Sequence, residues 1–154
     1  MSADADDLTP IEVVQVVAVP IEHAYEVFVH RIDLWWPRGH LAGGENATPV
    51  IEAAVGGRIF ERGEDGREIE WGVVTEYEPP HRLSFSWHIG ATAAEATQVE
   101  VQFEDGGDDT TTLHLVHSGW DRLGAAAAPR RTGNLAGWAD VIPAYVGHIT
   151  SSRG

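Results

Sequence analysis

Histidine is the residue type with the widest chemical reach in this chain: eight are present, and there is no cysteine. Eight imidazoles raise the question of a metal site, and their spacing argues against one. In an alternating strand, residues an odd number apart project to opposite faces. His114 and His117 are three apart and His81 and His88 are seven apart, so neither pair shares a face. His23 and His30 fall on one helical segment but lie two turns apart, roughly 10 Å. No His-Glu-x-x-His sequence and no compact His/Asp pair occurs, so no metal is expected. The missing cysteine removes disulfides, thiolate zinc sites and a cysteine nucleophile. Lysine is also missing, which removes Schiff-base chemistry and a phosphate-loop lysine. Ser118 lies in His-Ser-Gly-Trp, not in the Gly-x-Ser-x-Gly elbow that makes a serine nucleophilic.

One histidine keeps a chemical reading. By alternation His117 shares the inward face of its strand with Leu113 and Leu115. An inward histidine on an apolar wall can hydrogen-bond a ligand or act as acid or base. The competing reading is a structural imidazole, satisfied by a backbone carbonyl or by Trp120. Aromatic side chains carry the second signal. Trp71, Phe85, Trp87 and Trp138 fall on inward positions, and Tyr145 lies on a helix stripe, where it is a candidate proton donor. With Val73, Leu115 and His117 these residues make a candidate ligand cavity. Such a wall suits a flat or apolar small molecule, and the same rings serve equally well as core packing. No cofactor is implied.

The elements that must position these residues are well punctuated. Residues 1–8 read as a disordered acidic tail, and residues 9–150 as a single domain. Ile11 to Val19 is valine-rich and favours a strand. Pro20 opens a helix over Ile21 to Ile32, where Ile21, Ala24, Tyr25, Phe28 and Ile32 form one apolar face. Residues 37–47 read as a loop. Strands are expected at Val50 to Val55, Arg58 to Arg62, Glu68 to Tyr77, Arg82 to His88, Thr97 to Glu104 and Thr111 to His117. Glu64-Asp65-Gly66-Arg67 and residues 105–109 supply turns. In the strand at Arg82 to His88, Ser84, Ser86 and His88 are expected on the wet face. A helix suggested from Ala125 and running from Arg130 to Ile149 carries Trp138, Val141, Ile142, Tyr145 and Ile149 as a stripe, with Pro143 expected to kink or break it. A curved antiparallel sheet wrapped around one long C-terminal helix buries both stripes, an α+β helix-grip fold.

Several motifs, in this order, resemble one known family. They are Leu34-Trp35-Trp36, Val55-Gly56-Gly57-Arg58, Trp71-Gly72-Val73-Val74, the run from Glu78-Pro79-Pro80-His81-Arg82-Leu83 to Trp87, Thr111-Thr112-Leu113 with His117-Ser118-Gly119-Trp120, and Gly137-Trp138. Together they resemble the activator-of-Hsp90-ATPase-homologue branch of the START-like (SRPBCC) superfamily, from about Val19 to Trp138. The resemblance implies the helix-grip fold with a cavity between sheet and C-terminal helix. It also implies three readings of function. The first is a binding module for a hydrophobic or aromatic small molecule. The second is a polyketide cyclase or aromatase using His117 and Tyr145. The third is a chaperone-associated or stress-related interaction protein, by analogy with the co-chaperone. Pro143 departs from the family, whose last helix is usually continuous.

Charge and hydropathy narrow the partners. A formal charge of −14 opposes binding to nucleic acid or to anionic lipid. No apolar run approaches the roughly 18 residues a membrane span needs, and the acidic start lacks the basic, then apolar, pattern of a secretory signal. A cytoplasmic protein is expected. A homodimer fits the size, with no sequence feature arguing for it.

Overall fold

A computed structural model describes residues 8–153 apart from 43, 45 and 90, so residues 1–7 of the expected tail lie outside the described residues. Strand β1 (Ile11–Val17) leads through Pro20 into α1 (Ile21–His30), whose buried Ile21, Ala24, Tyr25 and Phe28 keep the helical spacing. A short α2 (Ile32–Trp35) follows, and the next loop holds a 3-10 turn at Arg38–His40. Six strands then form a meander: β2 (Thr48–Ile51), β3 (Arg58–Arg62), β4 (Glu68–Glu78), β5 (Arg82–Trp87), β6 (Thr97–Gly107) and β7 (Thr110–Ser118). The chain closes with a 3-10 segment, Trp120–Ala126, and the long α3 (Ala127–Arg153).

The strands make one antiparallel sheet of seven, in the order β1-β7-β6-β5-β4-β3-β2. β1 returns to pair with β7, setting Ile11 opposite His117 and Val17 opposite Thr111. Asp108 and Asp109 join β6 to β7 with φ of 54° and 58°, the left-handed pair that a two-residue hairpin requires. The inward residues Phe85, Val99, Val101, Leu113 and Leu115 share one core with Phe28 of α1 and with Trp138, Ile142 and Tyr145 of α3. Burying each such side chain stabilises by about 1.5–3 kcal/mol. Two tyrosine hydroxyls tie the layers together: Tyr145 donates to the Ala24 carbonyl at 2.7 Å and Tyr25 to the Arg82 carbonyl at 2.8 Å. No helix among the described residues is long and apolar enough to cross a membrane.

Three expectations change. α3 is not broken: it runs through Pro143 to Arg153. Pro143 and Ala139, whose carbonyl the proline leaves without its helical partner, both lie on the exposed face, where the freed group is open to solvent. Ser84 is buried at 1% exposure rather than wet, because its short side chain stands between Glu76 and Glu100 on the flanking strands. His88 is buried at 5%, because it follows the last strand residue, where the chain turns (Ala91 N–H to the His88 carbonyl, 2.8 Å) and alternation no longer applies.

Candidate functional site

A pocket of about 340 Å³ lies between the first half of α3, the end of β5 and the 3-10 turn at Arg38–His40. Ligand sites run from roughly 300 to 1,000 Å³, so this one is small. From α3 it takes Pro129, Arg130, Gly133, Asn134, Gly137, Trp138 and Val141, a stripe with the period of a helix face. Two of these positions carry no side chain. A Cβ built at Gly133 or at Gly137 meets nothing within 4 Å. Glycine inside a helix costs about 1 kcal/mol relative to alanine, and here the two glycines leave the helix face bare.

The large rings of the lining come from both sides: Trp36 and Trp87 from outside α3, and Trp138 from α3 itself, beside Gly137. Trp87 lies 5.6 Å from Trp138 with planes at 31°, Trp36 lies 6.0 Å from Trp87, and Trp36 meets Trp138 at 6.4 Å, nearly perpendicular at 87°. Each indole N–H is already used within the protein. Trp87 donates to Asn134 Oδ1 at 3.2 Å, Trp36 to the His40 carbonyl at 3.2 Å, and Trp138 to His117 Nδ1 at 3.0 Å. The indole is a donor only, so the wall offers a ligand its ring surfaces. Polar groups stand among them: His40, paired with Asp140 at 3.1 Å, and Arg130, which meets Glu95 at 3.6 Å.

His117 lies behind this wall. It is fully buried, its Nδ1 accepts from Trp138, and its Nε2 meets Thr97 Oγ1 at 2.6 Å. Nδ1 therefore carries no proton, and Nε2–H donates to Thr97, whose hydroxyl passes on to the Trp87 carbonyl at 3.2 Å. Burial pushes the imidazole down to about 3, so the ring is neutral. Trp120 stacks on it at 4.3 Å and donates to the His117 carbonyl at 3.0 Å. The ring nitrogens are satisfied by Trp138 and Thr97, not by the backbone carbonyl or the Trp120 that the structural reading named.

Of the eight residues read as cavity lining, Trp87 and Trp138 line this pocket, and the other six lie elsewhere. Trp71 is behind Trp36, 4.8 Å away, with its N–H on Glu61 Oε2 at 2.8 Å. Phe85 packs beside Trp87 at 5.5 Å, and Leu115 is enclosed in the core. Tyr145 is fully buried and spends its hydroxyl on Ala24, and burial raises its pKa well above the ordinary tyrosine range. Val73 is only half-buried, because β4 shifts register against both β3 and β5 and the alternation counted from Trp71 slips. Gly72 sits in that irregular stretch, where an added Cβ would overlap the Ser86 carbonyl oxygen.

Trp36, His40, Ile89, Arg130, Asn134 and the two glycines were not read as lining. Gly133 and Gly137 gave a usable signal, being four apart and beside Trp138 on one helix face. Glu61 was also missed: it is fully buried and receives the Ala42 N–H at 2.8 Å besides Trp71. Among the described residues no group of three or more His, Asp or Glu is placed to hold a metal ion.

Comparison with known proteins follows the fold. A family model described as activator of Hsp90 ATPase homolog 1-like protein matches residues 18–147. No curated protein sequence matches the chain significantly. Among solved structures, the chain is similar to the anthrahydroquino-gamma-pyrone synthase Txn09, solved in a complex, at 29% identity over 92% of this chain and 96% of that one, with a TM-score of 0.62. It shares the fold of CalC, a self-sacrificing resistance protein from Micromonospora echinospora, at 22% identity, covering 94% and 96% of the two chains, with a TM-score of 0.71. It also shares the fold of PFC0360w, an HSP90 activator from Plasmodium falciparum, at 21% identity, covering 71% and 72%, with a TM-score of 0.53. The chain belongs to the activator of Hsp90 ATPase homolog 1-like family.

Proposed function

We propose that this chain is a small-molecule-binding protein whose pocket takes a planar aromatic compound against Trp36, Trp87 and Trp138, in the space that Gly133 and Gly137 leave bare on α3. The observation that carries this reading is that two side-chain-free positions of α3, Gly133 and Gly137, line one pocket with Trp138 of the same helix and with Trp36 and Trp87 from outside it. Glycines that weaken a helix and leave its face empty make sense when something else fills the volume. Indoles whose N–H groups are already committed favour stacking over hydrogen bonding. The name of the similar synthase, which makes an anthrahydroquino-gamma-pyrone, agrees with this class of ligand.

Binding is favoured over turnover by the placement of the two proton-transfer candidates. His117 and Tyr145 are enclosed, hydrogen-bonded within the protein and absent from the pocket lining. The chaperone reading rests on family membership and on a shared fold.

A thermal-shift series tests the proposal. Planar fused-ring aromatics and saturated fatty acids of similar size are compared on the full chain. A ligand at 100 times its dissociation constant adds about 2.7 kcal/mol, a shift of several degrees. The proposal expects the shift with the planar series alone. Equal shifts with saturated chains, or none with any planar compound, contradict it.

A further inference from the structure

We propose, resting on the aromatic-pocket reading above, that the ligands of this site are aromatic acids, planar rings bearing a carboxylate, and that Arg130 is the residue that holds the anion. Arg130 lines the pocket from the first turns of α3, with its side chain 25% exposed. A guanidinium presents five N–H donors in a planar fork. Here it meets Glu95 Oε1 through Nη2 at 3.6 Å, beyond hydrogen-bond distance. That oxygen is already engaged in its own turn, receiving the Thr92 N–H at 3.3 Å and the Thr92 hydroxyl at 3.2 Å. Arg122 shows the contrast: its guanidinium is fixed by the Ala96 carbonyl at 2.9 Å. Arg130 is therefore a cation on the pocket wall, ion-paired with Glu95 at a distance that leaves its N–H donors available to a ligand.

The rest of the wall aims a ring toward it. Asn134, one helical turn on, bonds the Arg130 carbonyl at 2.9 Å and the Trp87 indole at 3.2 Å. Residues four apart on a helix have Cβ atoms roughly 5–6 Å apart. A ring stacked on Trp87 would lie beside Asn134, one helical turn from Arg130, and the proposal sets its carboxylate on the guanidinium, where it can accept two parallel hydrogen bonds. Asp140, outside the lining, is paired with the lining residue His40 at 3.1 Å. The chain as a whole carries a formal charge of −14, so attraction for an acid has to be local, and an arginine on the wall is a local source.

The test compares an anthraquinone carboxylate with its uncharged carboxamide, followed by quenching of tryptophan fluorescence at neutral pH. In the unmodified chain the acid is expected to bind about tenfold more tightly than the amide, the scale of one charge-assisted hydrogen bond. Arg130→Gln should bring the ratio of acid to amide affinity close to one, whatever it does to the affinity both compounds share, and Arg130→Lys should restore part of the preference. Equal affinity for acid and amide in the unmodified chain, or a preference that survives Arg130→Gln, overturns the assignment and leaves the aromatic pocket standing. Failure of both compounds to bind overturns the pocket reading and this inference with it.

Discussion

The indole N–H of Trp138 donates to Nδ1 of His117 at 3.0 Å, and the opposite ring nitrogen meets Thr97 Oγ1 at 2.6 Å. One histidine thereby fixes the plane of a pocket tryptophan, and it does so only while neutral, because a protonated Nδ1 cannot accept. The link joins α3 to β6 through β7, so the pocket wall is anchored in the buried face of the sheet.

A pH dependence follows. In the folded chain burial pushes the His117 imidazole down to about 3, from an ordinary value of 6.5. The unfolded chain therefore binds the proton more readily, and the contribution of this group to stability is lost as pH falls from about 6.5 toward 3, at up to about 1.4 kcal/mol per pH unit. Denaturant unfolding across that range, compared between the natural chain and His117→Gln, isolates the effect. The variant should be less stable by about 2–4 kcal/mol at neutral pH and should show a flatter acid limb. Parallel limbs would show that His117 is not the group responsible.

Glu61 supports the pocket from the other side. Its carboxylate takes the N–H groups of Trp71 and Ala42, both at 2.8 Å, and Trp71 backs Trp36. Glu61→Ala leaves a buried indole N–H without an acceptor, which costs about 1–3 kcal/mol. Glu61→Gln keeps one acceptor oxygen and should cost less. Chemical denaturation of the two variants checks the order, and a larger loss for glutamine would contradict this role.

Pro143 sits in the interior of α3 on its exposed face. Proline there forgoes a helical hydrogen bond at a cost of up to about 3 kcal/mol. Pro143→Ala should raise the thermal midpoint by several degrees without changing ligand affinity. A lowered midpoint would mean that the proline shapes the helix in a way its neighbours need.

Most of the architecture was legible because the signals are local. The alternation in Thr97 to Glu104 and Thr111 to His117, and the stripe of Trp138, Val141, Ile142, Tyr145 and Ile149, need only the strand and helix periods. The pocket was less legible because it depends on where distant segments meet. Trp36 follows α2, before the meander begins, and Trp87 ends β5 in its middle, and no period links them. Val73 was misplaced by irregular pairing of β4 that leaves no composition signal, and His88 by assuming alternation past the end of β5. His117 was placed correctly on the inward face, but facing inward proved to mean contact with Trp138, Thr97 and Trp120, not with the pocket.

The most direct test of the account fills the empty helix face. Calorimetric titration of the uncharged anthraquinone carboxamide into the natural chain and into Gly137→Leu, with the thermal midpoint of each recorded, separates occupancy of the pocket from folding. Leucine is a better helix former than glycine by roughly 0.8 kcal/mol, and space is open at this position, so the variant should be at least as stable as the natural chain. The account predicts binding to the natural chain and at least a tenfold loss in a stable Gly137→Leu. A folded variant that binds as tightly as the natural chain, or a natural chain that does not bind, would contradict it.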